Sequence, residues 1–416
     1  MKSIIAPALL CAASTAVAQY AAQQPLYNVQ SMTAAQRESL MLDLWSEMDV
    51  VDLMHLTGHG DGLDEKRLVD VFGESAPRWM TEGDKLRLKR LGTAFMDITD
   101  HEDLGRVNAM RPSQLHSAPV ELSNDDTVKK TIEKLFEPLD DSHLRADIKE
   151  LTAFYNRNYK SDNGRKSSDW VFDHVSSIVS KSTLKTSVTK FAHSFAQSSV
   201  VARLEDPLDD TKDKPVIIIG GHADSLNYLL PWYRAPGADD DGSGTVTVFQ
   251  ILRSLVEQNF TPPRGLALEF HWYAAEEGGL LGSQDIAASY EKAGRKVKGM
   301  LQMDMVAFLR PGTPEIIGFF KDVVDKSLTK FGTKLVDRYI PLPWNMTGCG
   351  TSCGSDHMSW TKAGYPAIFA TEGLFEDGPR TIHTHKDDLN QEGYSFSHML
   401  HFVKLGLAFV VELSVA

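Results

Sequence analysis

A chain of 416 residues with a net charge of −13 has no basic stripe to offer a phosphate backbone, which excludes nucleic acid as a partner. Its residues are 42% hydrophobic and 24% charged, with no repeat or low-complexity tract, so a large core is available and acidity keeps the surface soluble. Charge says nothing about specificity.

Taken in chain order, Met1-Lys2 precedes the apolar stretch from Ile4 to Leu10, and Ala16–Ala18 has the small-residue form of a signal-peptidase site. The stretch is too short to cross a bilayer. Residues 1–18 are expected to be a secretory signal, which places the protein outside the cell and off the membrane. Residues 19 to about 110 carry methionines, acidic clusters and little strand pattern, with Lys89-Arg90 as a dibasic processing sequence, a pair that also occurs at Lys66-Arg67. About 320 residues then remain, enough for one large domain.

Helical periodicity runs over 142–160 and 168–180, and short β-rich runs follow at 187–195 and 199–205. Three further runs each end at polar residues. Val216–Gly220 leads into "GGHADS" with His222 and Asp224, Leu266–Tyr273 leads into Glu276 and Glu277, and Val297–Met303 leads into Asp304. Between the first two lies "APGADDDGSG" with Asp239, Asp240 and Asp241, whose glycines open the helical pattern "TVTVFQILRSLVEQ". An aspartate-rich turn suits a helix N-terminus, where amide groups and the dipole favour negative charge. "CGTSCGSDHMSW" and "RTIHTHKDD", with His383 and His385, come later. The apolar "MLHFVKLGLAFVVELS" is interrupted by His401, Lys404 and Glu412, as suits a buried terminal helix.

This strand–helix alternation predicts an α/β fold, a three-layer αβα sandwich with a mixed, mostly parallel central sheet. Ligands of such sheets gather at the carboxyl ends of the strands, where His222, Glu276, Glu277 and Asp304 fall. Imidazole nitrogens and carboxylate oxygens are zinc donors, and a catalytic zinc site leaves a position for water. An extended Glu276–Glu277 pair would point one carboxylate at a metal and the other at substrate. Residue chemistry alone does not choose among Asp239, Asp240 and Asp241, or between His383 and His385.

In combination and order, "GGHADS", "APGADDDGSG", "AAEEGGLLGSQ", "LQMDM" and "IHTHKDD" resemble the secreted di-zinc leucine aminopeptidases of fungi and bacteria, which include aminopeptidase Y. The likeness runs from Leu151 to Leu413. It implies two zinc ions per chain, one on His222 and Asp304, the other on Glu277 and His383, with Asp240 between them. It also implies Glu276 as general base, Asp224 behind the His222 imidazole, and peptides with a free N-terminus as substrates of a monomeric enzyme. Residues 76–99 are similar to the propeptides of the fungal precursors, which implies a zymogen: a propeptide over 19–90, ending between 80 and 110, and a catalytic domain over 91–416.

With Cys11 in the signal, Cys349 and Cys353 remain, and in an oxidising compartment they could pair. Metal or redox pairs usually have two intervening residues rather than three, and the resemblance also implies a disulfide beside the substrate pocket. Asn345-Met346-Thr347 is a glycosylation acceptor sequence. Met305, Phe375 and Ile382 fall at or near the family's hydrophobic pocket. Two positions depart from the family pattern: "GTS" replaces a tyrosine between the cysteines, and "DGP" replaces an aromatic before the last histidine. A wider or more polar pocket follows, still preferring large apolar N-terminal residues. Of the other readings, a glutaminyl cyclase keeps one zinc and has no use for His222 and Asp304, and a carboxypeptidase needs an identifiable cation. A dead peptidase-fold binding domain would have lost ligands or base.

Overall fold

The computed structural model describes residues 33, 36, 48–56, 58–111 and 120–416. The predicted signal, 1–18, lies outside them, as does most of 19–47. Two compact units are present, one from the residues up to 66 together with 80–91, the other from 67–79 together with 92–416.

In the smaller unit, helices Val50–Leu56 and Glu82–Arg90 are held by reciprocal capping and ion pairing. The Thr81 hydroxyl accepts from the Asp84 amide while the Asp84 carboxylate accepts from the Thr81 amide. Arg87 donates to both oxygens of Asp49 at 2.8 Å.

The larger unit is built on eight strands: β4 (Lys185–Phe191), β5 (Ser199–Glu205), β6 (Val216–His222), β7 (Ala267–Tyr273), β8 (Val297–Met303), β9 (Ile317–Phe320), β10 (Trp344–Thr347) and β11 (Ala367–Thr371). Their order is β10-β9-β11-β8-β6-β7-β5-β4. β6 pairs in parallel with β7 and β8, β11 with β8, and β10 with β9. The antiparallel pairs are β4–β5, β5–β7 and β9–β11. This is the predicted mixed sheet.

Period-two alternation in β6 separates two cores. Ile217 and Ile219 join the cluster formed with the helices Gly242–Glu257 and Phe396–Val415, while Val216 and Ile218 join Ile286, Tyr290 and Trp360 from the helices Leu281–Ala293 and His357–Lys362. A sheet buried on both faces gives the three layers. The terminal helix is apolar and long enough to span a bilayer, yet Met399, Phe402, Leu405, Phe409 and Leu413 are fully buried in the first cluster. Its buried Glu412 accepts from the Ser123 amide at 2.8 Å and the Tyr339 hydroxyl at 2.5 Å.

The structure corrects several expectations. The helix predicted over 142–160 stops after Ser142–Leu151, and the next spans Asp162–Val179. Between them the side chains of Asn156 and Asn158 bond local amides and distant carbonyls, competing with helical hydrogen bonds. The strand expected over 187–195 runs over Lys185–Phe191. The region read as having little strand pattern contains β1 (Lys66–Val71), β2 (Arg78–Thr81) and β3 (Phe95–Asp97). In the larger unit Val69 faces Asp97 across an antiparallel β1–β3 pair, and Arg67 donates to the Asp97 carboxylate at 2.8 Å. Strands of three to six residues with mixed polarity leave too little alternation to read.

Candidate metal centre

His222 ends β6, Asp304 follows β8, and Glu276 and Glu277 follow β7 by three and four residues, so parallel strands deliver four of the predicted side chains to one edge of the sheet. Asp240 stands before the Gly242–Glu257 helix, and His383 lies in an irregular stretch ahead of the terminal helix. All are buried except His383, which is 21% exposed.

Asp240 lies between the two imidazoles. One carboxylate oxygen is 3.1 Å from His222 Nε2 and the other 2.6 Å from His383 Nε2. Asp304 Oδ1 is 3.7 Å from His222 Nε2, and Glu277 Oε1 is 3.4 Å from His383 Nε2. Among the described residues, the donor atoms of His222, Asp241 and Asp304 converge closely enough to hold one metal ion, and those of Asp240, Glu277 and His383 a second.

The three aspartates have different surroundings. Asp241 spends its carboxylate on the amides of His222, Gly244 and Met305 at 2.8–3.2 Å, pinning β6, a helix N-terminus and the turn after β8. Asp239 accepts from the Ala307 amide. Asp240 and Asp239 both donate their backbone N–H to Asp387, and the Asp240 side chain faces the imidazoles. His385 stays outside the cluster, its ring edge-on to Tyr233 at 6.1 Å.

Glu276 and Glu277 sit in a turn, not the extended segment expected: the Glu276 carbonyl accepts from the amides of Gly279 and Leu280. Asp224, fully buried, accepts the Glu276 amide on one oxygen and the Glu277 amide on the other, at 3.0 and 3.1 Å. Its Oδ1 is also 3.4 Å from His222 Nδ1, so it ties the histidine to the glutamate turn. Ser355 donates to Asp304 Oδ2 at 2.6 Å, fixing which oxygen faces inward.

Charge is the dominant physical problem here. Burial opposes a charged Asp240, but His383 and His222 outweigh it and hold the carboxyl well below the usual range. Burial equally opposes a His222 cation, yet Asp304, Asp224 and Asp240 push that imidazole well above its ordinary value. Burial drives Asp239 and Glu372 well up and brings Asp356 and Asp387 to about 7. So many buried carboxylates demand cations or protons, and imidazole with carboxylate is a donor set zinc accepts.

Four contributors were not assigned from sequence. Arg157, fully buried, donates to the carbonyls of Ala223, Pro236 and Gly237 and strapped in this way supplies positive charge beneath Asp224, Asp240, Asp241 and Asp387. Nothing in "FYNRNY" announces it. Asp387 and Ser355 lay inside quoted motifs without a role. Tyr228, six residues beyond His222, donates its hydroxyl to Glu277 Oε2 at 2.9 Å.

Of the predicted pocket residues, Met305 directly follows Asp304 and Ile382 directly precedes His383, both half-buried, while Phe375 is 43% exposed on a short 3-10 turn. A small cleft lined by Phe308, Arg310, Pro314, Ile316, Glu372 and Leu374 includes none of them. Cys349 and Cys353 form a disulfide with Cα atoms 5.7 Å apart, within the ordinary range. Asn345 is exposed on β10, at the edge of the sheet.

Sequence comparison gives the class directly: residues 199–407 match the profile of peptidase family M28. "Leucine aminopeptidase 1" of Trichoderma harzianum is 43% identical over 364 residues, 85% of this chain and 88% of the relative. The protein of the same name from Phaeosphaeria nodorum is 42% identical, covering 82% and 86%. The crystal structure of the Legionella pneumophila LapA aminopeptidase superposes with a TM-score of 0.71 at 24% identity, over 84% of this chain and 94% of that one, a likeness of fold. The chain belongs to peptidase family M28, whose members are zinc-dependent.

Proposed function

We propose that the protein is a secreted aminopeptidase that removes leucine and other large apolar residues from peptide N-termini with a pair of zinc ions. The observation that carries this reading is Asp240, whose two oxygens face His222 and His383 separately, as a carboxylate shared by two ions must. His222 and Asp304 would complete one half of the centre, Glu277 and His383 the other. When bound, the ions would supply Lewis-acid polarisation of the scissile carbonyl and make an attacking water more acidic.

Glu276 is the proton carrier in this reading. Its neighbour Glu277 faces His383 and Tyr228, and Asp224 fixes the backbone amides of both glutamates beside the centre, which supports Glu276 as the group that accepts the water proton and returns it to the leaving amine. A substrate with a free amino group brings positive charge to a centre dominated by carboxylates. A C-terminal carboxylate has no such welcome, since the buried Arg157 is spent on three carbonyls. A one-zinc cyclase would leave His222 and Asp304 idle.

The same proposal includes the signal 1–18, a propeptide 19–90, a catalytic domain 91–416 acting as a monomer, and a glycan on the exposed Asn345. Lys89-Arg90 closes a helix and Leu91 is 77% exposed, which suits a processing protease. Because β1 and β3 lie on opposite sides of that point, cleavage leaves their pairing to be lost separately.

Hydrolysis of a leucine anilide by the processed protein, with and without a zinc chelator and against an N-acetylated control, tests the function. Chelator-sensitive cleavage of the free-amine substrate alone is expected. No cleavage by zinc-loaded, processed protein would overturn it.

A further inference from the structure

His383 is the member of the centre with the weakest local support. His222, Asp304, Glu277 and Asp240 adjoin strands or a helix, whereas residues 379–395 form neither, and His383 itself has a positive φ of 58° that a side chain rarely adopts without tertiary support. Tyr228 meets this stretch in two ways and Glu277 in a third. Its backbone N–H donates to the His383 carbonyl at 3.0 Å, and its ring stacks on the imidazole with centroids 3.6 Å apart and planes 19° from parallel. Its hydroxyl reaches across to donate to Glu277 Oε2 at 2.9 Å.

We propose that Tyr228 is a positioning residue for the Glu277–His383 half of the metal centre, setting the ring plane of one ligand with its aromatic face and the carboxylate orientation of the other with its hydroxyl. The inference rests on the reading of those two residues as ligands. One rigid side chain thereby links a ligand delivered by the sheet to a ligand delivered by an irregular segment. With its Oε2 occupied by the phenol, Glu277 turns Oε1 toward His383 Nε2, 3.4 Å away. Partners of this kind around metal ligands are typically worth about 10–100-fold in metal affinity or activity. Aromatic stacking adds a smaller increment of the same sign.

The experiment compares the full-length protein with Tyr228→Phe, which keeps the ring and loses the hydroxyl, and Tyr228→Leu, which loses both. Zinc occupancy is followed against buffered free zinc, the visible spectrum of the cobalt-loaded protein is recorded, and thermal unfolding is measured without metal. The expected result is selective. In Tyr228→Phe one metal equivalent dissociates at roughly 10–100-fold higher free zinc than in the parent, while the other is unmoved. Tyr228→Leu weakens the same equivalent further, the cobalt bands shift, and added zinc restores kcat/KM. A role limited to folding would lower the metal-free unfolding temperature without this selectivity, and that result overturns the proposal. So does parental zinc binding in both variants. The parent protein reports on the underlying reading separately: fewer than two equivalents refutes the paired centre, and Tyr228 is then judged by whether its variants weaken the ion that remains.

Discussion

Glu276 and Glu277 are chemically identical and adjacent, and only their surroundings distinguish them. Tyr228 and His383 engage Glu277, while the Glu276 backbone is fixed by Asp224 on one side and the amides of Gly279 and Leu280 on the other. Glu276→Gln preserves shape but cannot accept a proton. Its kcat on a leucine anilide should fall by about 10²–10⁴, with metal content by elemental analysis unchanged. Turnover near the parental rate would remove Glu276 from the base role. The identity of these residues was legible because each follows an apolar strand. Which aspartate of Asp239, Asp240 and Asp241 faces the imidazoles was not, because that depends on where the amides of Ala307, His222, Gly244 and Met305 lie in space.

At the scale of elements, the site depends on how closely the Gly242–Glu257 helix approaches the sheet. A Cβ at Gly244 would lie 2.3 Å from the Met303 carbonyl oxygen, immediately before Asp304, and equally close to Asp241 Oδ1. Neither atom can yield cheaply, since one is backbone and the other caps the helix through the Gly244 amide. Gly244→Ala should therefore cost about 1–3 kcal/mol in denaturant unfolding and lower metal affinity by displacing Asp304. Unchanged stability and affinity together would show that the helix can retreat freely. The β6, β7 and β8 runs were readable because each is long and apolar. β9, β10 and β11 were not, having only four or five residues each. The helix over 142–160 was overextended because Asn156 and Asn158 act on partners as distant as Trp232 and Pro231, which no local periodicity reveals.

For the molecule as a whole, charges buried in the sheet are expected to set the acid limit of stability. Burial tends to raise the Glu269 carboxyl, but His271, Tyr290 and Arg203 outweigh it and hold it at about 2, against an ordinary 4.5. Arg203 Nη1 lies 2.5 Å from Glu269 Oε1 and His271 Nε2 3.1 Å from Oε2. Because the folded value is the lower one, protonation favours the unfolded chain. The stabilising contribution is complete above about pH 4.5 and is lost as the pH falls toward 2. Glu269→Gln should lower the unfolding temperature at neutral pH and narrow the drop between pH 7 and pH 3. An unaltered pH dependence would place the acid limit elsewhere, with Asp285, also held at about 2, the next group to examine.

The sequence by itself determined the fold class, the strands that carry the site and the types of donor it holds, because these follow from local periodicity and from what stands at the end of each apolar run. Only the tertiary structure decided which carboxylate lies between the imidazoles, that Asp224 ties His222 to the glutamate turn, and that Arg157 and Tyr228 belong to the centre at all. Most of those relations join residues far apart in the chain, through hydrogen bonds and buried charge whose strength depends on distance in space and on exclusion of water. Neither quantity is written in the spacing of residues along a chain.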